Sequence, residues 1–210
     1  MRLPARRTSV AGPAGRIECA LDLPAGGAGP RGVALIAHPH PQHGGTFDNK
    51  VVQTLARAFA ELGYVAVRPN FRGVGASAGH YDGGRGEVDD LAAVLAHARS
   101  ELVDAPPVLA GFSFGAAMQA RLAARLRNDG QPPARLVLVG IAVNHFDAPA
   151  VPSDTLLIHG ERDATVPLGA VLDWARAQEL PLVVVPGADH FFHRRLPSLR
   201  AIVQHNWRGA

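Results

Sequence analysis

A serine set between two glycines is the first group in the chain equipped for chemistry: Gly111-Phe112-Ser113-Phe114-Gly115. The apolar run Val108-Leu109-Ala110 leads into it, and a segment of helical spacing rich in Ala, Leu and Arg follows. In a G-x-S-x-G turn between strand and helix, the serine is held in a strained backbone conformation with its Oγ exposed above the sheet. The glycines remove Cβ atoms that would obstruct so sharp a bend. The helix start favours negative charge nearby. The backbone N–H of Phe114, directly after the serine, is placed to donate to a developing oxyanion. These are the parts of a nucleophile for acyl transfer.

A serine hydroxyl needs a base, and the base needs an orienting acid. Behind this kind of turn the expected chain order is serine, carboxylate, histidine. The chain has 10 histidines, so position must choose among them. His190, in Gly187-Ala188-Asp189-His190, directly follows the last predicted strand, and a glycine lets its loop bend. His193 is the nearest competitor, in or beside the closing helix. For the acid, Asp163 lies in His159-Gly160-Glu161-Arg162-Asp163-Ala164-Thr165-Val166-Pro167, after the penultimate strand. A carboxylate there can reach an imidazole N–H and set its tautomer. Glu161 and Asp147 are weaker candidates, and Asp189 is badly placed to orient its own neighbour.

The elements that must position these groups alternate in period. Residues 6–10 and 16–23 read as a two-stranded start, and Val33 to Ala37 as a short apolar strand buried on both faces. Lys50 to Leu62 has helical spacing and stops at Gly63. Tyr64 to Val67 is a strand, and Glu87 to Arg99 a helix with acids in its first turn. Strands are predicted at Pro107–Ala110, Leu136–Ile141, Thr155–His159 and Leu182–Val185, and helices at Phe114–Arg127, Pro167–Gln178 and about Leu196–Trp207. Gly- and Pro-rich loops are expected at Pro24–Gly32, Gly73–Gly86 and Asp129–Pro133. Such alternation predicts an α/β fold, a mostly parallel central sheet with helices on both faces. Sites in such sheets lie at the carboxyl ends of the strands. Ser113, Asp163 and His190 all follow strands. With no repeat or clear linker, residues 1–210 read as a single domain.

Ser113, Asp163 and His190, with their flanking motifs, resemble the triad of the α/β-hydrolase superfamily. The likeness covers about residues 16–207. It is nearest to the small, lidless members, the dienelactone-hydrolase-like and carboxylesterase-like proteins. Dienelactone hydrolases proper carry a cysteine where this chain has Ser113. The resemblance implies that the loop after the strand Val33–Ala37 supplies a second oxyanion donor. In His38-Pro39-His40-Pro41-Gln42-His43-Gly44-Gly45 the prolines have no N–H. His40 has one, at the position that matches the family's donor, so the resemblance assigns the oxyanion hole to the backbone N–H groups of His40 and Phe114. A metal site on His38, His40 and His43 is the rival reading of this loop; the hydrolase reading already accounts for it, and neither metal nor cofactor is expected. Asn70-Phe71-Arg72-Gly73-Val74-Gly75-Ala76-Ser77 resembles the superfamily's D-x-R-G-x-G-x-S turn, with Asn for Asp and a structural role.

Only Ala142 to Asp154 separates two strands where lids are usually inserted in this fold, which leaves no room for a cap domain. An open site follows, lined by Phe112, Phe114, Phe146, Phe191 and Phe192, unless these belong to the core. This suits a serine hydrolase acting on small carboxylic esters. A thioesterase or acyltransferase on the same triad, and a non-catalytic binding protein, are the alternatives.

The net charge is +3, carried almost wholly by arginine, with Lys50 the only lysine. Arginines interleaved with acids read as a solvated surface, so no nucleic acid or membrane partner is expected. The partner is a small-molecule ester or thioester. The single cysteine, Cys19, alternates with Ile17 and Leu21 and reads as a small buried hydrophobe. Neither a signal peptide nor a transmembrane span is seen, which makes a cytoplasmic location the expectation.

Overall fold

In a computed structural model of the chain, residues 5–24 and 29–207 are described. The loop expected at Pro24–Gly32 lies partly outside them. Arg6–Gly12 (β1) and Gly15–Asp22 (β2) pair as an antiparallel hairpin. Val33–Ala37 (β3), Val65–Pro69 (β4), Val108–Phe112 (β5), Arg135–Val139 (β6), Leu156–Gly160 (β7) and Leu182–Val185 (β8) complete one eight-stranded sheet in the order β1-β2-β4-β3-β5-β6-β7-β8. All pairings from β4 through β8 are parallel; only β1 with β2 and β2 with β4 run antiparallel.

Lys50–Glu61 (α1) and Leu196–His205 (α5) cover one face. Arg85–Glu101 (α2), Phe114–Asn128 (α3) and Leu168–Arg176 (α4) cover the other. Period-two alternation assigns each strand residue to one core or the other. In β3, Leu35 packs under α2 and α3, while Ala34 and Ile36 pack under α1. In β6, Leu136 and Leu138 face one core, and Val137 and Val139 the other. Burial on both faces explains why these strands are continuous apolar runs rather than alternating ones.

The helix ends follow local chemistry. Asn49 caps α1, its Oδ1 accepting from the N–H groups of Val51 (2.9 Å) and Val52 (3.4 Å). Gly63, at φ 93°, turns the chain out of α1 into β4. Two strand boundaries differ from expectation. β5 runs on through Gly111 and Phe112, because those residues pair with Leu138 and Val139 of β6. β6 ends at Val139 rather than Ile141, because Gly140 takes φ 54° and donates to the carbonyl of Ile158. The connection from β6 to β7 has turns and extended chain but no helix, so nothing caps the carboxyl edge there. Among the described residues, no helix is long and apolar enough to cross a membrane.

Candidate active site

Ser113 stands between the end of β5 and the first residue of α3 at φ 56°, ψ −118°. A non-glycine residue in that region is strained, at a cost of order 1–3 kcal/mol, and persists only where its surroundings over-determine it. They do so here. A Cβ on Gly111 would come within 2.5 Å of the carbonyl of Gly115, in the first turn of α3. A Cβ on Gly115 would come within 2.4 Å of the carbonyl oxygens of Ala37 and His38, at the end of β3. The two glycines let α3 start hard against both strands, and the serine takes up the resulting bend. The Ser113 N–H is held by the carbonyl of Val139 at 2.9 Å.

His190 and Asp163 come to Ser113 from the ends of β8 and β7. His190 Nε2 lies 3.0 Å from Ser113 Oγ, and His190 Nδ1 lies 2.6 Å from Asp163 Oδ2. With Nδ1–H donating to the carboxylate, Nε2 is free to accept from the serine hydroxyl. All three are nearly buried: Ser113 is 7%, Asp163 6% and His190 5% exposed, so little water competes for these contacts. The other oxygen of Asp163 accepts from the N–H groups of Thr165 (2.9 Å) and Val166 (2.7 Å). Both carboxylate oxygens are therefore committed.

The loops that bring them together have their own supports. A Cβ on Gly160 would meet the carbonyl oxygens of Ala188 and Asp189 at 2.6 and 2.8 Å, so only glycine lets the His190 loop close over β7. Glu161, a rival for the acid, braces that loop by accepting from Gly187 N–H at 2.7 Å. Asp189 binds His193, Oδ2 to Nδ1, at 2.7 Å, and both are exposed. His193 is thereby held apart from Ser113. Asp147 is exposed, and its carbonyl accepts from Arg121. Gly140 sits beneath the imidazole, where an added Cβ would lie 3.5 Å from His190 Nδ1.

One further site residue leaves almost no trace in the sequence. His159 is fully buried at the end of β7. Its Nε2–H donates to the Val166 carbonyl at 2.9 Å and lies 3.5 Å from Asp163 Oδ2. Burial holds its pKa below the ordinary histidine value, outweighing the opposing pull of Val166 and Asp163. The only signal was its position four residues before Asp163 in a motif already singled out for the acid.

The loop after β3 puts His40 and Phe114 together on one cavity of about 230 Å³, with Ser113 in its wall. Pro39 and Pro41 leave His40 the one N–H in that stretch, and Phe114, as the first residue of α3, has no acceptor within its helix. The His40 ring stacks on His43 at 4.4 Å between centroids and packs against Phe114 at 5.1 Å and Phe146 at 5.7 Å. His38 turns elsewhere. It is buried, its Nε2 accepts from Phe71 N–H at 3.0 Å, and its Nδ1 donates to the Pro39 carbonyl at 2.6 Å. Nε2 thus ties the β3 loop to the neighbouring arginine turn, while Nδ1 fixes the ring against its own loop. Burial pushes its pKa down to about 4.

The arginine turn is structural scaffolding. Asn70 Oδ1 accepts from Phe47 N–H, and its Nδ2 donates to Glu18. Arg72 binds Asp90 with two nitrogens, at 2.8 and 3.0 Å, and reaches the carbonyl of Gly86, locking the turn to the start of α2. The aromatic lining divides. Phe114 and Phe146 belong to the cavity. Phe112 and Phe192 are fully buried in the core beneath α1 and α5, with Phe112 packed under His190 at 4.8 Å. Inward-facing strand and loop positions claim them. Phe191 is 45% exposed, edge-on to His190 at 5.2 Å.

A mostly parallel sheet carrying a strained serine elbow, with a carboxylate and a histidine in the loops after later strands, defines a class, and the chain's relatives agree with it. Residues 29–153 match the family described as serine aminopeptidase, S33. An uncharacterized protein of Rickettsia prowazekii is 32% identical over 86% of this chain and 79% of its own length. A lidless α/β serine hydrolase of Xanthomonas campestris is 39% identical, with a TM-score of 0.89 over 99% of this chain and 95% of its own. An α/β serine hydrolase homologue of Coxiella burnetii is 38% identical, with a TM-score of 0.86 over 99% of this chain and 100% of its own. The chain belongs to the α/β-hydrolase superfamily, among its serine hydrolases.

Proposed function

We propose that this protein, read as one domain, hydrolyses small carboxylic esters through an acyl-enzyme on Ser113. His190 is the general base and acid, and Asp163 the orienting carboxylate. The observation that carries the reading is the unbroken relay from Ser113 Oγ to His190 (3.0 Å) to Asp163 (2.6 Å). Ser113 Oγ attacks the ester carbonyl carbon while its proton passes to His190 Nε2. The carbonyl oxygen becomes an oxyanion held by the N–H groups of His40 and Phe114. The tetrahedral species collapses, the carbon–oxygen bond to the alcohol breaks, and the alcohol leaves with the proton from His190. Water repeats the sequence: His190 takes its proton, hydroxide adds to the acyl carbon, and Ser113 departs reprotonated as the acid is released.

The family description names aminopeptidases. An aminoacyl substrate carries a free ammonium that needs a carboxylate partner. The residues lining the cavity beside Ser113 include no Asp or Glu, which favours a neutral ester. The test is labelling of the purified protein with a fluorophosphonate probe, followed by turnover of p-nitrophenyl esters, acyl-thioesters and aminoacyl amides. Labelling lost in Ser113→Ala and turnover greatest on esters are expected. A protein left unlabelled would be a binding member of its fold rather than an enzyme.

A further inference from the structure

We propose that the cavity between the loops after β3 and β6 is the acyl pocket, and that it restricts the enzyme to esters of compact, uncharged acids of about benzoyl size while the alcohol goes unselected. The inference rests on the ester-hydrolase reading above. It follows from which parts of the machinery the cavity touches. At the tetrahedral stage three directions leave the acyl carbon besides Ser113 Oγ. The oxyanion faces the donors His40 and Phe114. The alcohol oxygen faces His190 Nε2, which must return its proton. The acyl chain takes what remains. The cavity meets Ser113, His40 and Phe114, and its walls do not include His190. The group that extends into it is therefore the acyl chain. The alcohol lies on the other side, where the exposed ring of Phe191 packs against His190.

Size and charge then set the class. An apolar cavity of about 150 Å³ holds benzene, and this one measures about 230 Å³. A benzoyl or short branched acyl group fills that volume, and a longer chain has to run out over its open side. Phe146, packed on Phe114 at 4.9 Å, and Ala142 are among its walls. No lining residue is Asp, Glu, Lys or Arg, so an ionic acyl group would be desolvated without a permanently charged partner. Three imidazoles, His40, His43 and His145, line the cavity, and burial together with the other two rings disfavours charge on His40.

The experiment measures kcat/KM for p-nitrophenyl acetate, butyrate, benzoate, decanoate and hemisuccinate, and for methyl, butyl and benzyl benzoates, in the wild type and in Ala142→Phe, Phe146→Ala and Phe191→Ala. Taking ratios between variants cancels the intrinsic reactivity of each ester. Ala142→Phe is expected to lower the benzoate-to-acetate ratio by about tenfold or more, the scale of steric discrimination in an apolar pocket. Phe146→Ala is expected to raise the decanoate-to-butyrate ratio by a similar factor, and carries the test alone if Ala142→Phe does not fold. Wild-type rates across the three benzoates should stay within about threefold, well below that discrimination. Acyl ratios unmoved by Phe146→Ala, or moved instead by Phe191→Ala, would overturn the assignment. Fluorophosphonate labelling separates the two levels. Labelled variants with unmoved ratios refute the pocket alone, whereas an unlabelled wild type refutes the ester reading and the pocket with it.

Discussion

The imidazole of His159 lies 3.5 Å from the same Asp163 oxygen that His190 holds at 2.6 Å. One carboxylate oxygen thus faces two histidines with different tasks. His159 Nε2–H also donates to the Val166 carbonyl, while Val166 N–H donates back to Asp163. The turn carrying Asp163 is clamped from inside the sheet as well as along its own backbone. His159 is a positioning residue on this reading. Loss of a buried hydrogen bond costs about 1–3 kcal/mol, so His159→Phe should lower kcat about ten- to a hundredfold with KM little changed. His159→Gln, which can present an N–H at similar reach, should recover most of the loss. Steady-state kinetics on one ester checks both; equal failure of Gln and Phe would reduce His159 to a packing role.

Asp163→Asn keeps the shape of the side chain but cannot hold His190 as the tautomer whose Nε2 accepts. Turnover should fall by about 10⁴, the scale of the corresponding change in a serine-protease triad. Circular dichroism and the melting temperature should stay close to wild type. Near-normal turnover would move the orienting role to another carboxylate.

The two elbow glycines make a steric prediction with a built-in control. Gly115→Ala drives a Cβ to 2.4 Å from the carbonyl oxygens of Ala37 and His38, so α3 must shift away from β3. Overpacking of this kind costs typically about 1–3 kcal/mol, and Ser113 should lose its alignment and its labelling. Gly169→Ala, in α4, meets nothing within 4 Å and should stabilise by about 0.4–1 kcal/mol. Thermal melts of the two variants should move in opposite directions.

Stability should fall on acidification through a window set by His38. Burial lowers its pKa from 6.5 to about 4, against the opposing pull of the Pro39 carbonyl. Between those values the unfolded chain binds a proton that the folded one refuses, so stability rises with pH across the window. His38 contributes its full share above pH 6.5 and loses it progressively toward pH 4. That share is on the order of 3 kcal/mol at most, since each tenfold change in proton affinity is worth about 1.4 kcal/mol. Denaturant melts from pH 8 to pH 4.5 should show a shallower decline in His38→Gln; an identical slope would refute the assignment.

Cys19 has no exposed surface, and burial pushes its thiol up to about 12, helped by the Glu18 charge. It should resist Ellman's reagent in the native protein and react with one equivalent in denaturant. Rapid reaction under native conditions would show that β2 opens readily.

Much of this was legible in the chain itself. The alternation of apolar runs and helical spacing determined the sheet, because burial on both faces demands apolar residues and a helix demands its 3.6-residue stripe. Ser113, Asp163 and His190 were legible because each follows a strand in a motif with a local mechanical reason. That all three converge was a different matter. It depends on β5, β7 and β8 running parallel in order, and on Gly160 letting one loop close over another strand. Residue spacing records no contact between positions 77 residues apart, such as Ser113 and His190. The same limit hid His159, whose role lies in one hydrogen bond to Val166 and a close approach to Asp163 within a folded turn. It also left the five phenylalanines unsorted, since an apolar ring beside a site and one beneath it look alike in sequence. Which ring faces the cavity and which the core was decided only when α1 and α5 closed over Phe112 and Phe192.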